Sequence, residues 1–191
     1  MGECRDSKNK MRTIIAYTDG SAVIRGPNSG NGGFGTYFPD FYGVKKAYSF
    51  GYSKTKTGRM EIMALYHAIS ALYYSHKEPI KLIVYSDSEY VVKSFTENRL
   101  EKWIKADWTN TSGEVKNRDL WEAILKALEG RKFLTLEMRH IKSHQVEKEK
   151  DKEKKKLLLN NPHIVGNMVA DGLANYKRHN ILLKTDKIIG L

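Results

Sequence analysis

"IIAYTDGSA" (residues 14–22) reads as a strand fit for burial that nevertheless carries a carboxylate, Asp19, followed at once by Gly20 and Ser21. Burying an ionised carboxylate is costly unless something positive compensates it. Residues 12–21 form the first predicted strand. "GGFGTYF" (32–38) and "VKKAYSFGY" (44–52) form two more. Their short links contain Gly and Pro, which predicts an antiparallel meander. The spacing of Ile62, Leu65, Ile69 and Leu72 predicts a helix from Arg59 to Ser75, with Pro79 beyond it as a stop signal.

"IKLIVYSD" (80–87) is a continuous apolar strand of the kind buried on both faces. "SEYVVKSF" (88–95) reads as a short helix capped by Ser88. Residues 118–128 form an amphipathic helix with Trp121 on its apolar stripe. Residues 132–141 alternate like a strand, and a last helix covers Ile164 to Arg178. The order implies one mixed α/β sheet with helical cover.

The chain has 191 residues, 40% hydrophobic and 29% charged, the size and balance of one globular domain. We divide it into a flexible leader (1–11), one domain (12–180) and a tail (181–191). The leader is too short to be a further binding domain. The tail is apolar enough to pack on the body or pair with a partner. Cys4 is the only cysteine, so no intrachain disulfide forms. That suits the cytoplasm or another reducing intracellular compartment. No apolar run approaches ~18 residues, so no transmembrane helix is expected, and no signal peptide is read. The net charge of +11 favours a polyanionic partner. A second charged feature, 146–160, begins with "VEKEKDKEKKK". Its six lysines face four acids, and it reads as a solvated helix extension or a mobile loop.

Three further acids share the oddity of Asp19. Glu61 lies at the margin of an apolar helical stripe, Asp87 ends the most hydrophobic strand, and Asp171 sits within "GNMVADGLA". If strands 12–21 and 80–87 are parallel neighbours, Asp19 and Asp87 emerge at the same edge, where α/β sheets bind ligands. Helices could deliver Glu61 and Asp171 there. Converging carboxylates repel one another unless cations bind, and hard oxygen donors suit Mg²⁺ or Mn²⁺. Two such ions could serve phosphodiester hydrolysis. A basic chain with such a site points to a nuclease.

At these residues the sequence resembles type 1 ribonuclease H. The matching segments are "YTDGS" (17–21), "GGFG" (32–35), "TGRMEIMAL" (57–65), "VYSDSEYVV" (84–92), "VKNRDLW" (115–121), "IKSH" (141–144) and "GNMVADGLA" (166–174). The resemblance implies a ribonuclease H-like fold, with a five-stranded mixed sheet, its first three strands antiparallel, flanked by helices. It implies endonucleolytic cleavage of the RNA strand of an RNA–DNA hybrid; separately, a monomer without a membrane partner is expected. The resemblance further implies two Mg²⁺ ions, with Mn²⁺ as a substitute, and products with 5′-phosphate and 3′-hydroxyl ends. Asp19, Glu61, Asp87 and Asp171 match the family's metal-binding catalytic quartet, and His144 matches its mobile histidine. For the RNA strand the family positions point to Gly20, Ser21, Asn31 and Asn167. For DNA phosphates they point to Thr55, Thr57 and Arg59. Residues 99–118 match the basic protrusion, with Trp103 offered for stacking on sugar or base. His140 is expected to be structural, and His67 a surface or packing residue.

The chain departs from the pattern in its long, charged link between His144 and Asp171, and in Glu89, a fifth acid beside Asp87. Two other readings share some features: another nuclease of the same superfamily, and a hybrid-binding module without turnover. The presence of all four acids argues against the second.

Overall fold

The computed structural model describes residues 11–72 and 79–179, together with the backbone of residues 184–185. Strands β1 (Arg12–Ala22), β2 (Gly32–Phe41) and β3 (Val44–Ser53) form the antiparallel meander read from the sequence. Helix α1 (Thr57–Ser70) follows, and the expected end at Ser75 lies outside the described residues. Strand β4 (Ile80–Ser86) pairs parallel with β1 on its other side, from Arg12↔Ile80 to Thr18↔Ser86. Helices α2 (Glu89–Thr96) and α3 (Arg99–Lys105) lead into a two-residue ribbon, β5 (Thr109–Asn110) with β6 (Gly113–Glu114). Then come α4 (Arg118–Glu129), β7 (Leu134–His140), α5 (Gln145–Lys148), α6 (Lys152–Leu159) and α7 (Pro162–His179). The sheet order is β7-β4-β1-β2-β3, so the five-stranded mixed sheet stands as expected. A sixth edge strand, β8 (Lys184–Thr185), pairs parallel with β3, which gives part of the tail a place on the body.

Side-chain alternation splits β1 and β4 between two cores. Ile14, Ala16, Leu82 and Val84 join α1 and α4 in the larger core on one face. Tyr17, Ile83 and Tyr85 face the other way, onto Ile164 and Ala170 of α7. Asp19 continues the parity of Tyr17, so it faces α7. His67 resolves as a packing residue, ringed by Phe34, Tyr48 and Phe50.

The charged insert is helical. Asp151 caps α6 by accepting the Lys154 amide at 2.9 Å. Val146 is buried, and Leu158 packs on the same small core as Tyr17 and Tyr85. Two apolar anchors spaced twelve residues apart hold a segment whose charge pattern alone says only that it is solvated.

Candidate active site

Asp19 lies where β1 has outrun β4: Thr18↔Ser86 is the last parallel pair, while Asp19 still pairs with Gly35 of β2. The sheet is open on one side at that level, and Asp87 enters immediately after Ser86. Asp19 is only 6% exposed. Its carboxylate accepts the Gly20 amide at 2.8 Å. Desolvation, then the charges of Asp87 and Asp171, hold its carboxyl well above the usual range, against the lowering effect of the Gly20 amide.

Glu61 arrives from the opposite face. Gly20 lets α1 cross there: a Cβ at Gly20 would fall inside the van der Waals envelope of the Met60 and Glu61 backbone. Burial raises the Glu61 carboxyl to about 7, with Asp87 adding to the rise and a hydrogen bond from Ser88 opposing it. That bond is short, Ser88 Oγ to Glu61 Oε2 at 2.5 Å. Ser88 is also the cap of α2, as expected from the sequence, accepting the Val91 amide. One hydroxyl therefore serves a helix end and a site acid together.

The Asp87 carboxyl is raised chiefly by desolvation, and Asp171 pushes in the same direction. His140 Nε2 donates to the Asp87 carbonyl at 3.2 Å, a structural contact as expected. Asp171 accepts from Asn175 Nδ2 at 2.7 Å. Asn175 in turn accepts from Ser21 Oγ at 3.1 Å, and Ser21 Oγ accepts from Arg178 at 2.7 Å. Ser21 is thus tied to α7, a chain of contacts that sequence reading did not reveal.

A small pocket brings Asp87, Ser143, His144, Glu147, Asn167, Met168 and Asp171 together. His144 adopts left-handed backbone ahead of α5, and its Nδ1 donates to Glu147 Oε2 at 3.2 Å. Asn167 is 5% exposed, and its Oδ1 has no hydrogen-bond partner among the described residues. The extra acid of this pocket is Glu147, hidden in the sequence inside the charged run. Glu89 is 63% exposed at its side chain and pairs with Lys93 on the helix surface.

A second cleft of about 750 Å³ opens beside Glu61, lined by Lys54, Thr55, Lys56, Gly58, Arg59, Tyr90, Lys116 and Asn117. Thr55 is buried there with its hydroxyl unpaired among the described residues. Arg59 grips Asp119 through two hydrogen bonds, 2.9 and 2.6 Å. Thr57 opens α1 and does not line the cleft. Asn31 lies in the β1–β2 turn, its amide and carbonyl bonded to Asn28 and Val23. Lys116 belongs to the basic protrusion expected to meet phosphates, whereas Asn117, Lys54 and Tyr90 were missed because their signal is spatial: three separate loops and helix ends meet.

Trp103 needs correction. It was expected on the substrate face, but it is 8% exposed and packs against Tyr90 and Trp121 in the larger core. Trp103 is one of four apolar anchors of the protrusion in that core, with Leu100, Trp108 and Val115. We expect Trp103→Ala to cost about 3–5 kcal/mol of stability, read as a fall in denaturation midpoint. Unchanged stability with weakened hybrid binding would restore the stacking role.

The donor set is carboxylate oxygen throughout, which fits a hard divalent cation. Among the described residues, no group of three or more His, Cys, Asp or Glu side chains is placed to hold a metal ion as it stands. The acids lie close enough for Asp87 and Asp171 to raise the Asp19 carboxyl, and for Asp87 to add to the rise of Glu61.

The family described as RNase H matches residues 11–178. The chain belongs to the ribonuclease H family. A curated Ribonuclease H from Lachnoclostridium phytofermentans is 44% identical over 119 residues, covering 60% of this chain and 72% of the relative. One from Caldicellulosiruptor saccharolyticus is 35% identical over 138 residues, covering 72% and 88%. A foamy viral protease-reverse transcriptase, solved in complex with RNA/DNA hybrid, shares the fold at a TM-score of 0.66 and 21% identity, over 94% of this chain and 22% of that one. The ribonuclease H chain described here is therefore a hydrolase of phosphodiesters. Its family cuts the RNA strand of RNA–DNA hybrids and generally depends on divalent metal. No helix among the described residues is long and apolar enough to cross a membrane.

Proposed function

We propose that this chain cuts the RNA strand of RNA–DNA hybrids internally, as a monomer in a reducing intracellular compartment. Asp19, Glu61, Asp87 and Asp171 would hold two divalent cations, Mg²⁺ or in its place Mn²⁺. The products would carry 5′-phosphate and 3′-hydroxyl ends. The observation that supports this most is the crowding of acids at one sheet edge, where the carboxyl of the buried Asp19 is raised by desolvation and then by the charges of Asp87 and Asp171. Strongly perturbed groups of this kind mark functional sites. When bound, the cations supply Lewis acidity at the phosphoryl oxygens and acidify water.

The protein's own groups do the rest. Asn167 Oδ1, buried and unpaired among the described residues, is suited to accept a hydrogen bond from a ribose 2′-hydroxyl, the group that separates RNA from DNA. His144 donates through Nδ1 to Glu147, which leaves Nε2 to exchange a proton at the leaving oxygen. The cleft of Lys54, Thr55, Lys56, Lys116 and Asn117 is suited to a phosphate of the DNA strand.

A labelled RNA–DNA hybrid, incubated with Mg²⁺, Mn²⁺ or EDTA beside single-stranded RNA and both homoduplexes, tests the reading. Internal cuts in the hybrid's RNA alone, abolished by EDTA, are expected. Binding without cuts under both metals would overturn it in favour of a binding module, and strong cleavage of DNA duplex in favour of another nuclease of the superfamily.

A further inference from the structure

Strands β1 and β4 both end in the pattern Tyr-x-Asp: Tyr17-Thr18-Asp19 and Tyr85-Ser86-Asp87. The strands run parallel and in register, Tyr17↔Tyr85. Strand alternation therefore puts each tyrosine on the face of its acid, one step deeper in the sheet. Helix α7 crosses that face and carries His163, Asn167 and Asp171 at intervals of four, which share one side of a helix. The deep pair of tyrosines meets His163, while Asp19 and Asp87 meet Asp171.

We infer that His163 is a positioning residue that sets α7, and with it Asn167 and Asp171, against the two strands carrying Asp19 and Asp87. The inference rests on the proposed function of those acids. Tyr17 Oη lies 2.8 Å from His163 Nδ1, and Tyr85 Oη lies 3.3 Å from Nε2. The neutral imidazole donates at one nitrogen and accepts at the other, so both contacts are satisfied in either tautomer. Burial pushes the Tyr17 hydroxyl up to about 12, so it stays protonated at ordinary pH.

The ring is held in three dimensions. It stacks on Tyr85 at 4.3 Å between centroids, and Tyr85 stacks on Tyr17 at 5.4 Å. Arg139 of β7 donates to Tyr85 Oη at 2.9 Å, which ties a third strand to the cluster. One turn on, a Cβ at Gly166 would strike the Tyr17 ring, so the helix lies as close as backbone allows. Contacts from one ring to two strands fix both the translation and the rotation of α7. A cap or a single hydrogen bond would leave the rotation open, and rotation would swing Asp171 away from Asp19.

Four purified full-length chains test this: wild type, His163→Phe, His163→Gln, and Tyr17→Phe combined with Tyr85→Phe. Phe keeps the stacked ring and removes both hydrogen bonds. Gln restores a donor and an acceptor. The readouts are kcat and KM on hybrid, Mn²⁺ binding by the free-ion EPR signal without substrate, and amide NMR shifts of Asp19, Asn167 and Asp171. We expect His163→Phe to lower kcat ~10–100-fold, as misplacement by about an ångström does, with a smaller rise in KM from the displaced Asn167. Mn²⁺ binding should weaken and the three amide shifts should move. His163→Gln should recover part of the loss. The double Phe variant, which removes the same bonds from the strand side together with the Arg139 bond to Tyr85, should reproduce it even if His163→Phe folds poorly. Wild-type kcat and Mn²⁺ binding in folded His163→Phe or in the double variant would overturn the inference, whatever their melting temperatures. A wild type that neither cuts nor binds Mn²⁺ would sink the functional reading instead. In that event, unmoved amide shifts in His163→Phe would overturn the positioning role independently.

Discussion

Asp19→Asn should lose hydrolysis by at least about a thousandfold, the several kcal/mol that a cation site contributes to phosphoryl chemistry, while the metal-free protein becomes more stable. The stability half follows from sign. The folded-state pKa of Asp19 is raised, chiefly by desolvation and then by Asp87 and Asp171. In the window between its unfolded and folded values, the folded chain binds more protons than the unfolded one. Stability therefore falls as pH rises through that window, and above it the folded state bears the full cost of a crowded, buried anion. Asparagine keeps the shape and an acceptor for the Gly20 amide and removes the charge. A gain on the order of 1 kcal/mol, or ~2–4 °C in Tm, is expected in EDTA. Mg²⁺ should raise the Tm of wild type by preferential binding to the folded state, and much less that of the variant. Calorimetry with and without Mg²⁺ checks both halves. A destabilised variant, or one with an undiminished Mg²⁺ response, would mean that Asp19 is compensated by protein groups rather than waiting for a cation. Glu61 adds a pH limit. With its carboxyl near 7, protons compete with cations below that value, so the Mg²⁺ needed for activity should rise as pH falls.

Gly20→Ala should damage both the fold and the site, although it adds one methyl group. That methyl would be driven into the Met60–Glu61 backbone, which belongs to a helix and has no rotamer to change. Overpacking of this kind costs typically ~1–3 kcal/mol, and here the upper end is expected, a Tm drop of ~6–12 °C. The relief available is to push α1 off the sheet, which carries Glu61 away from Asp19 and Asp87. Activity well below Tm should therefore fall ~100-fold, since ångström-scale displacement is enough. Thermal melts and single-turnover rates check this. Wild-type values in both would show that α1 does not pass so close to β1.

These two neighbours show how unevenly the chain discloses itself. The meander, the buried fourth strand and the amphipathic helices were legible because period-2 and period-3.6 patterns are local properties of the sequence. The four acids were legible because a carboxylate among apolar residues is locally anomalous. Gly20 was read as backbone for substrate, and only the packing of α1 reveals its tighter constraint. Trp103 was misread because basic neighbours said surface, whereas the fold turned its ring inward against Trp121 and Tyr90.

By itself, then, the sequence determined which elements form, which acids cannot be ordinary, and that a polyanion is the natural partner. Those are consequences of side-chain chemistry and local periodicity. Tertiary structure decided the rest. It showed that Glu147 and not Glu89 is the extra acid of the pocket, that Asn117 and Lys54 share a cleft, and that His163 links two strands sixty-eight residues apart. Each depends on distances between segments remote in the chain. Such distances follow from how α7 and the insert pack on the sheet, and no local pattern encodes them.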